Sequence, residues 1–237
     1  MSVKQDKGDA GYAKELKPRH IGMIAIGGSI GTGLFLGAGG RLAQGGAGLM
    51  FAYAICGVFA FLMVRALGEL SVRRPSSGAF VSYAREFLGE KGAYITGWLF
   101  FLDWSTTVMA DITAVALYMH YWAVFMPVPQ WLIALIALAL VFVLNLKMYG
   151  EAEFWFALIK VATIVIFMVV AIGCIIMGTP LQSTDAAGTA MVTNAGIGNI
   201  ADFGGLLPMG IAPVFALTLG VVYAFGGTEM VGVAAGE

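Results

Sequence analysis

The chain has 237 residues, of which 59% are hydrophobic and 11% charged, with a net charge of −1 and a mean hydropathy of +0.88. A soluble domain carries roughly 25% charged residues, so there are too few charges to cover a water-facing surface, and the solvent of this chain is mostly lipid. The net charge says nothing useful about nucleic acid, but no basic run is long enough to track phosphates, and no nucleic-acid partner is expected.

The first 20 residues, MSVKQDKGDAGYAKELKPRH, are polar. They predict a cytoplasmic N-terminal tail and no cleavable signal peptide, ahead of a transmembrane domain over residues 21–237. A spanning helix needs about 20 mostly apolar residues, and six stretches meet that requirement. The first, 21–40, contains no charge but places Gly27, Gly28, Gly31 and Gly33 in its middle, as IGGSIGTGL. Each glycine weakens a helix by about 1 kcal/mol relative to alanine, so the exposed backbone must serve some purpose. The second stretch is 47–67. Between 68 and 92 the chain is polar, yet Phe80, Val81, Tyr83, Ala84, Phe87 and Leu88 recur at helical spacing. That pattern predicts a short amphipathic helix at the membrane surface. The third, fourth and fifth stretches are 94–122, 130–146 and 154–177. Residues 178–206, rich in Gly, Thr, Asn and Ala, predict a partly irregular loop, and the sixth stretch is 207–235.

Orientation follows from the loop Lys and Arg residues. Lys4, Lys7, Lys14, Lys17 and Arg19 lie in the tail, Arg65, Arg73, Arg74, Arg85 and Lys91 around the 68–92 segment, and Lys147 in the turn before the fifth stretch. The opposite side has only Arg41, and the 178–206 loop has neither residue. The tail is thereby expected in the cytoplasm and the 178–206 loop outside.

Backbone polar groups in hydrocarbon must be hydrogen-bonded. A helix opened at GGSIGTG therefore makes sense where it lines a cavity, its N–H groups facing an anion and its carbonyls a cation. Close helix packing explains the same glycines equally well, because Gly27 and Gly31 have small-xxx-small spacing. A second interruption, YAFGGTEMVG with Gly226, Gly227, Thr228 and Glu229, shifts the balance, since paired broken helices point to a transporter site near the midplane. Ionisable residues inside the apolar stretches are costly. Lys160 is in the fifth, Asp103 and Asp111 flank Thr107 in the third, and Glu229 is in the sixth. Lys160 either snorkels to the headgroups or exchanges protons in a low-dielectric site. Cys56 and Cys174 lie in apolar runs as small hydrophobes. No metal-ligand spacing, nucleophile–base pattern, phosphate loop or cofactor motif is present in the sequence, and an enzyme is not expected.

LKPRHIGMIAIGGSIGTGLFLGAG, RALGELSVRRPSSGAFVSYAREFLG, FALIKV and YAFGGTEMVGVAAGE resemble the amino acid/polyamine/organocation superfamily, and within it the bacterial amino acid permeases. RPSSGAFVSYAREF and DITAVALYMHYW look most similar to asparagine permeases, although Asp103 stands where that likeness implies Asn, which leaves the substrate side chain open. The resemblance implies an all-α inner-membrane protein with a five-plus-five inverted repeat. This chain would supply the first repeat and helix six, with helices one and six interrupted, and the remaining half of the permease would complete it. It also implies proton-coupled uptake of an amino acid. Ser29, Gly31, Thr32 and Gly33 would hold the substrate carboxylate. Ala224, Phe225, Gly226 and Glu229 would line the other side, and Lys160, with Asp103 or Asp111, would couple the proton. The competing expectation is a non-transporting membrane scaffold or an inactive truncated permease.

Overall fold

The computed structural model describes residues 22–23, 26–74, 76, 79–143, 146–184 and 190–230. The tail, His20, Asp185, the end of the sixth stretch and the side chain of Lys147 lie outside the described residues.

The architecture is mostly helical. Residues 26–28 are helical, the chain leaves the helix at 29–31, and helix resumes as α1 (Thr32–Phe35) and α2 (Gly37–Gly45), joined through Leu36 in helical conformation. A 3-10 turn over Gly46–Gly48 leads into α3 (Leu49–Arg73). The corner is made by Gly46, whose φ of +55° suits a residue without a Cβ. α4 (Ala79–His120) follows, then α5 (Gln130–Val143) and α6 (Leu146–Met177). After these come β1 (Pro180–Thr184), β2 (Ala190–Asn194), α7 (Asn199–Asp202) and α8 (Ile211–Ala224). Among the described residues, three helical stretches are long and apolar enough to cross a membrane: Thr32–Arg73, Phe80–His120 and Glu151–Met177. Gln130–Val143 and Ile211–Ala224 are apolar but shorter. The protein is therefore a membrane protein.

Large apolar side chains such as Phe59, Phe142 and Phe167 are exposed, as befits helices whose solvent is hydrocarbon. The densest core lies where α3 meets α8: Leu49, Ala52 and Cys56 pack on Val214, Leu217 and Val221, with Tyr53 and Phe225 against them. Small residues allow this close approach, as van der Waals packing requires between membrane helices.

Two boundaries differ from the sequence reading in ways that matter. α6 begins at Leu146, not 154. Within the stretch of α6 apolar enough to cross a membrane, Glu151–Met177, Lys160 lies nine residues from the start, about 14 Å along the axis. Arg41 is not in a turn: the first helix runs past residue 40 to Gly45 and contains it. An arginine whose neighbours are small glycines looks like loop sequence, and only its packing keeps the helix going.

In α4, Gly89 (φ +77°) breaks the helical path, separating a short helix containing Phe80–Leu88 from the apolar part. The short helix is anchored by the Phe80–Phe100 ring contact, centroids 4.8 Å apart, by the Tyr83 hydroxyl donating to the Arg74 carbonyl at 2.8 Å, and by an Arg74–Glu86 ion pair. The 178–206 segment is more regular than its composition suggests. α6 stops at Gly178 (φ +61°), where Thr179 N–H bonds the Cys174 carbonyl and Gly178 N–H that of Ile175, a Schellman stop. β1 and β2 then pair antiparallel, with Gln182 opposite Val192. These strands are short, with apolar and polar residues grouped rather than alternating, as PLQST and AMVTN, so neither shows a strand pattern on its own.

Candidate functional site

The first helix opens because its glycines permit it and its neighbours hold it open. Ile30 N–H folds back to the Gly27 carbonyl at 3.2 Å, Ser29 Oγ donates to the Ile26 carbonyl at 2.8 Å, and Gly31 is fully extended (φ −125°, ψ −161°). The new helix start at Thr32 leaves its first N–H groups without intrahelical acceptors. A Cβ placed on Gly31 would meet nothing within 4 Å, so a gap lies beside this stretch.

The second interruption follows α8. Residues 225–229 form turns, with Gly227 at φ +95°. This break is capped by its own residues. Glu229 Oε2 accepts the Gly227 N–H at 2.9 Å, and the Thr228 hydroxyl donates to the Phe225 carbonyl at 2.9 Å.

The two breaks touch backbone to backbone. A Cβ on Gly28 would lie 2.7 Å from the Gly227 carbonyl oxygen, and one on Gly227 would lie 2.6 Å from that of Gly28. A Cβ on Gly33 would lie 2.6 Å from Ala224 Cα. The two segments therefore cross antiparallel, with Gly33 and Ala224 at one contact and Gly28 and Gly227 at the other.

Side chains from other helices reach this crossing. Lys160 Nζ donates to the Gly27 carbonyl at 3.2 Å, while Ala157 and a Glu153 carboxylate oxygen flank Gly27 from the same helix. From α4, Asp111 Oδ1 accepts the Thr32 hydroxyl at 2.8 Å. The Tyr223 hydroxyl lies 3.4 Å from the same Thr32 oxygen, and it must donate there because Thr32 has a single hydroxyl proton. Arg41 Nη1 donates to the Gly33 carbonyl at 2.6 Å. Ser29, Gly31, Thr32, Gly33, Ala224, Phe225, Gly226, Glu229, Lys160 and Asp111 thus surround or touch the two breaks, whereas Asp103 is exposed two turns away along α4 and takes no part in the Thr32–Asp111 bond. Tyr223 and Glu153 went unnoticed in the sequence, and Arg41 counted there only as a loop charge. For Tyr223 a signal existed, its place two residues before the second break. Among the described residues, no group of three or more His, Cys, Asp or Glu side chains could hold a metal ion.

This arrangement combines fixed N–H donors, backbone carbonyls, one ammonium, one guanidinium and three carboxylates, those of Glu153, Asp111 and Glu229, a set suited to gripping a small zwitterion. The family model "Amino acid permease" matches residues 20–237. Among relatives, the L-asparagine permease of Streptomyces coelicolor is 57% identical over all of this chain and 47% of its own length. Those of Salmonella typhimurium and Escherichia coli are 55% and 53% identical over 97% of this chain and 45% of theirs. The chain spans about half the length of these relatives. No solved structure matches. With 218 of its residues inside the family model (237 − 20 + 1) and relatives above half identity, the chain belongs to the amino acid permease family.

Proposed function

We propose that the complete protein is a secondary transporter that imports an amino acid by proton symport, with the substrate held between the two broken helices. The observation that carries this reading is the antiparallel crossing of the breaks, with Lys160 Nζ on the Gly27 carbonyl. Helix packing alone accounts for the small residues. It does not account for an ammonium placed on a carbonyl at a helix break, where burial makes charge costly. In this reading the N–H groups around Gly31, Thr32 and Gly33 take the substrate carboxylate, as helix N-termini favour anions. The carbonyls around Ala224 and Phe225 take the ammonium. Lys160 is the coupling group. While charged it ties α6 to the first break, as a bound cation would, and loss of its proton on the inner side releases that tie. Glu229, Asp111 and Glu153 are the carboxylates at the crossing.

The fold that serves this mechanism has six spans here, the first repeat and helix six of an inverted-repeat transporter, in the bacterial inner membrane with the N-terminus in the cytoplasm. Asparagine is the first substrate to test, because the relatives are named for it. In proteoliposomes containing the complete protein, radiolabelled asparagine should accumulate when the outside is acidified; failure to accumulate any of the twenty amino acids sinks the reading. Orientation is tested by single cysteines at Ser76 and Thr184. Thr184 should label from outside intact cells, and outside labelling of Ser76 would reverse the topology.

A further inference from the structure

Arg41 lies in an apolar helix yet belongs to none of the roles assigned above. Two glycines from two helices make room for its guanidinium: a Cβ on Gly37 would lie 2.7 Å from Arg41 Cζ, and one on Gly220 of α8 would lie 2.7 Å from Nε. The group is half-buried and ends on the Gly33 carbonyl. Among the described residues that carbonyl is its one hydrogen-bond acceptor, and no carboxylate lies within ion-pair distance of it. A guanidinium is cationic, so the site carries a positive charge with no carboxylate partner among the described residues. Gly33 in turn touches Ala224 and the Tyr223 ring, and follows Thr32. The charge is therefore fixed beside the crossing itself.

We propose that Arg41 is a specificity-determining residue, whose guanidinium, seated on the Gly33 carbonyl, weighs against amino acids with a cationic side chain. The proposal rests on the transport reading above. Every amino acid brings the same α-ammonium and α-carboxylate, so those groups do not discriminate. A second positive charge on the side chain is repelled by Arg41 across a poorly screened medium, while a neutral side chain of equal length is not. Over about 10 Å in such a medium the discrimination is roughly tenfold or more.

The test uses the complete protein and competition against radiolabelled asparagine uptake, with lysine and its uncharged isostere hydroxynorleucine as competitors. In the unsubstituted protein the isostere should compete roughly tenfold better than lysine. That ratio should collapse toward one in Arg41→Gln and persist in Arg41→Lys, which keeps the charge. A ratio near one in the unsubstituted protein, or an unchanged ratio in Arg41→Gln, overturns the proposal. Equal loss of every substrate in Arg41→Gln, with the ratio kept, makes Arg41 a helix staple only. If Arg41→Gln does not reach the membrane, the ratios in the unsubstituted protein and Arg41→Lys decide, and a ratio lost in Arg41→Lys counts against a charge effect. Absence of any amino-acid uptake overturns the transport reading and this inference together; asparagine uptake with a flat ratio overturns the role of Arg41 alone.

Discussion

The two helix breaks meet at one crossing but are built differently. The first, at 29–31, has one cap of its own, the Ser29 hydroxyl on the Ile26 carbonyl, and is held mainly by Lys160 of α6, Asp111 of α4 and, further along its own helix, Arg41. The second, at 225–229, is capped within five residues by Glu229 and Thr228. A break closed by its own side chains keeps its shape when neighbouring helices move. A break held by distant side chains changes when those side chains let go. In the proposed mechanism the first break is the one that responds to a proton or a substrate, and the second is the fixed surface against which it works.

The largest effect is expected where the two regions share one contact. In Gly227→Val a Cβ meets the Gly28 carbonyl oxygen at 2.6 Å, on a backbone at φ +95° that a β-branched residue resists. Strain and overpacking each cost about 1–3 kcal/mol, so uptake should fall by roughly 100-fold or more, at about 1.4 kcal/mol per factor of ten. Near-normal uptake by this variant would separate the two breaks and end the comparison.

Lys160→Gln probes the outside support of the first break alone. Glutamine, one atom shorter, keeps an N–H donor directed toward the Gly27 carbonyl but carries no charge to cycle. Accumulation driven by a pH gradient should be lost, while binding or exchange of substrate across the membrane persists in part. Accumulation with the unsubstituted dependence on external pH would reduce Lys160 to a packing residue and move attention to Glu229 and Asp111.

Gly31→Leu is the mildest structurally, because its Cβ meets no atom within 4 Å. The side chain should fill the gap beside the first break, so uptake drops roughly tenfold, or about 1.4 kcal/mol, while membrane insertion stays near normal. Unchanged apparent affinity would show that the gap is not where substrate sits.

Composition and local pattern determine much about this protein, and for a local reason. A helix in lipid needs only a run of apolar residues, so 47–67 and 130–146 overlap Leu49–Arg73 and Gln130–Val143, and 154–177 lies within Leu146–Met177. A glycine cluster with no side chains to pack marks where such a helix can open, and both breaks fall on Gly-rich motifs. What lies opposite an opened backbone is not a local property. Asp103 and Asp111 are equivalent in sequence, and only the approach of α1 to α4 gives Thr32 to Asp111. Lys160 reads as a snorkelling or a buried amine until the first break passes within 3.2 Å of it. Arg41 counts as a loop charge until Gly37 and Gly220 are seen to clear its slot. The strands at Pro180–Thr184 and Ala190–Asn194 exist because they pair with each other. Hydrophobic period tells which face of a helix avoids water, but in lipid every face avoids it. The partner of each polar group is then chosen by close packing of helices far apart in sequence, which the tertiary structure alone decides.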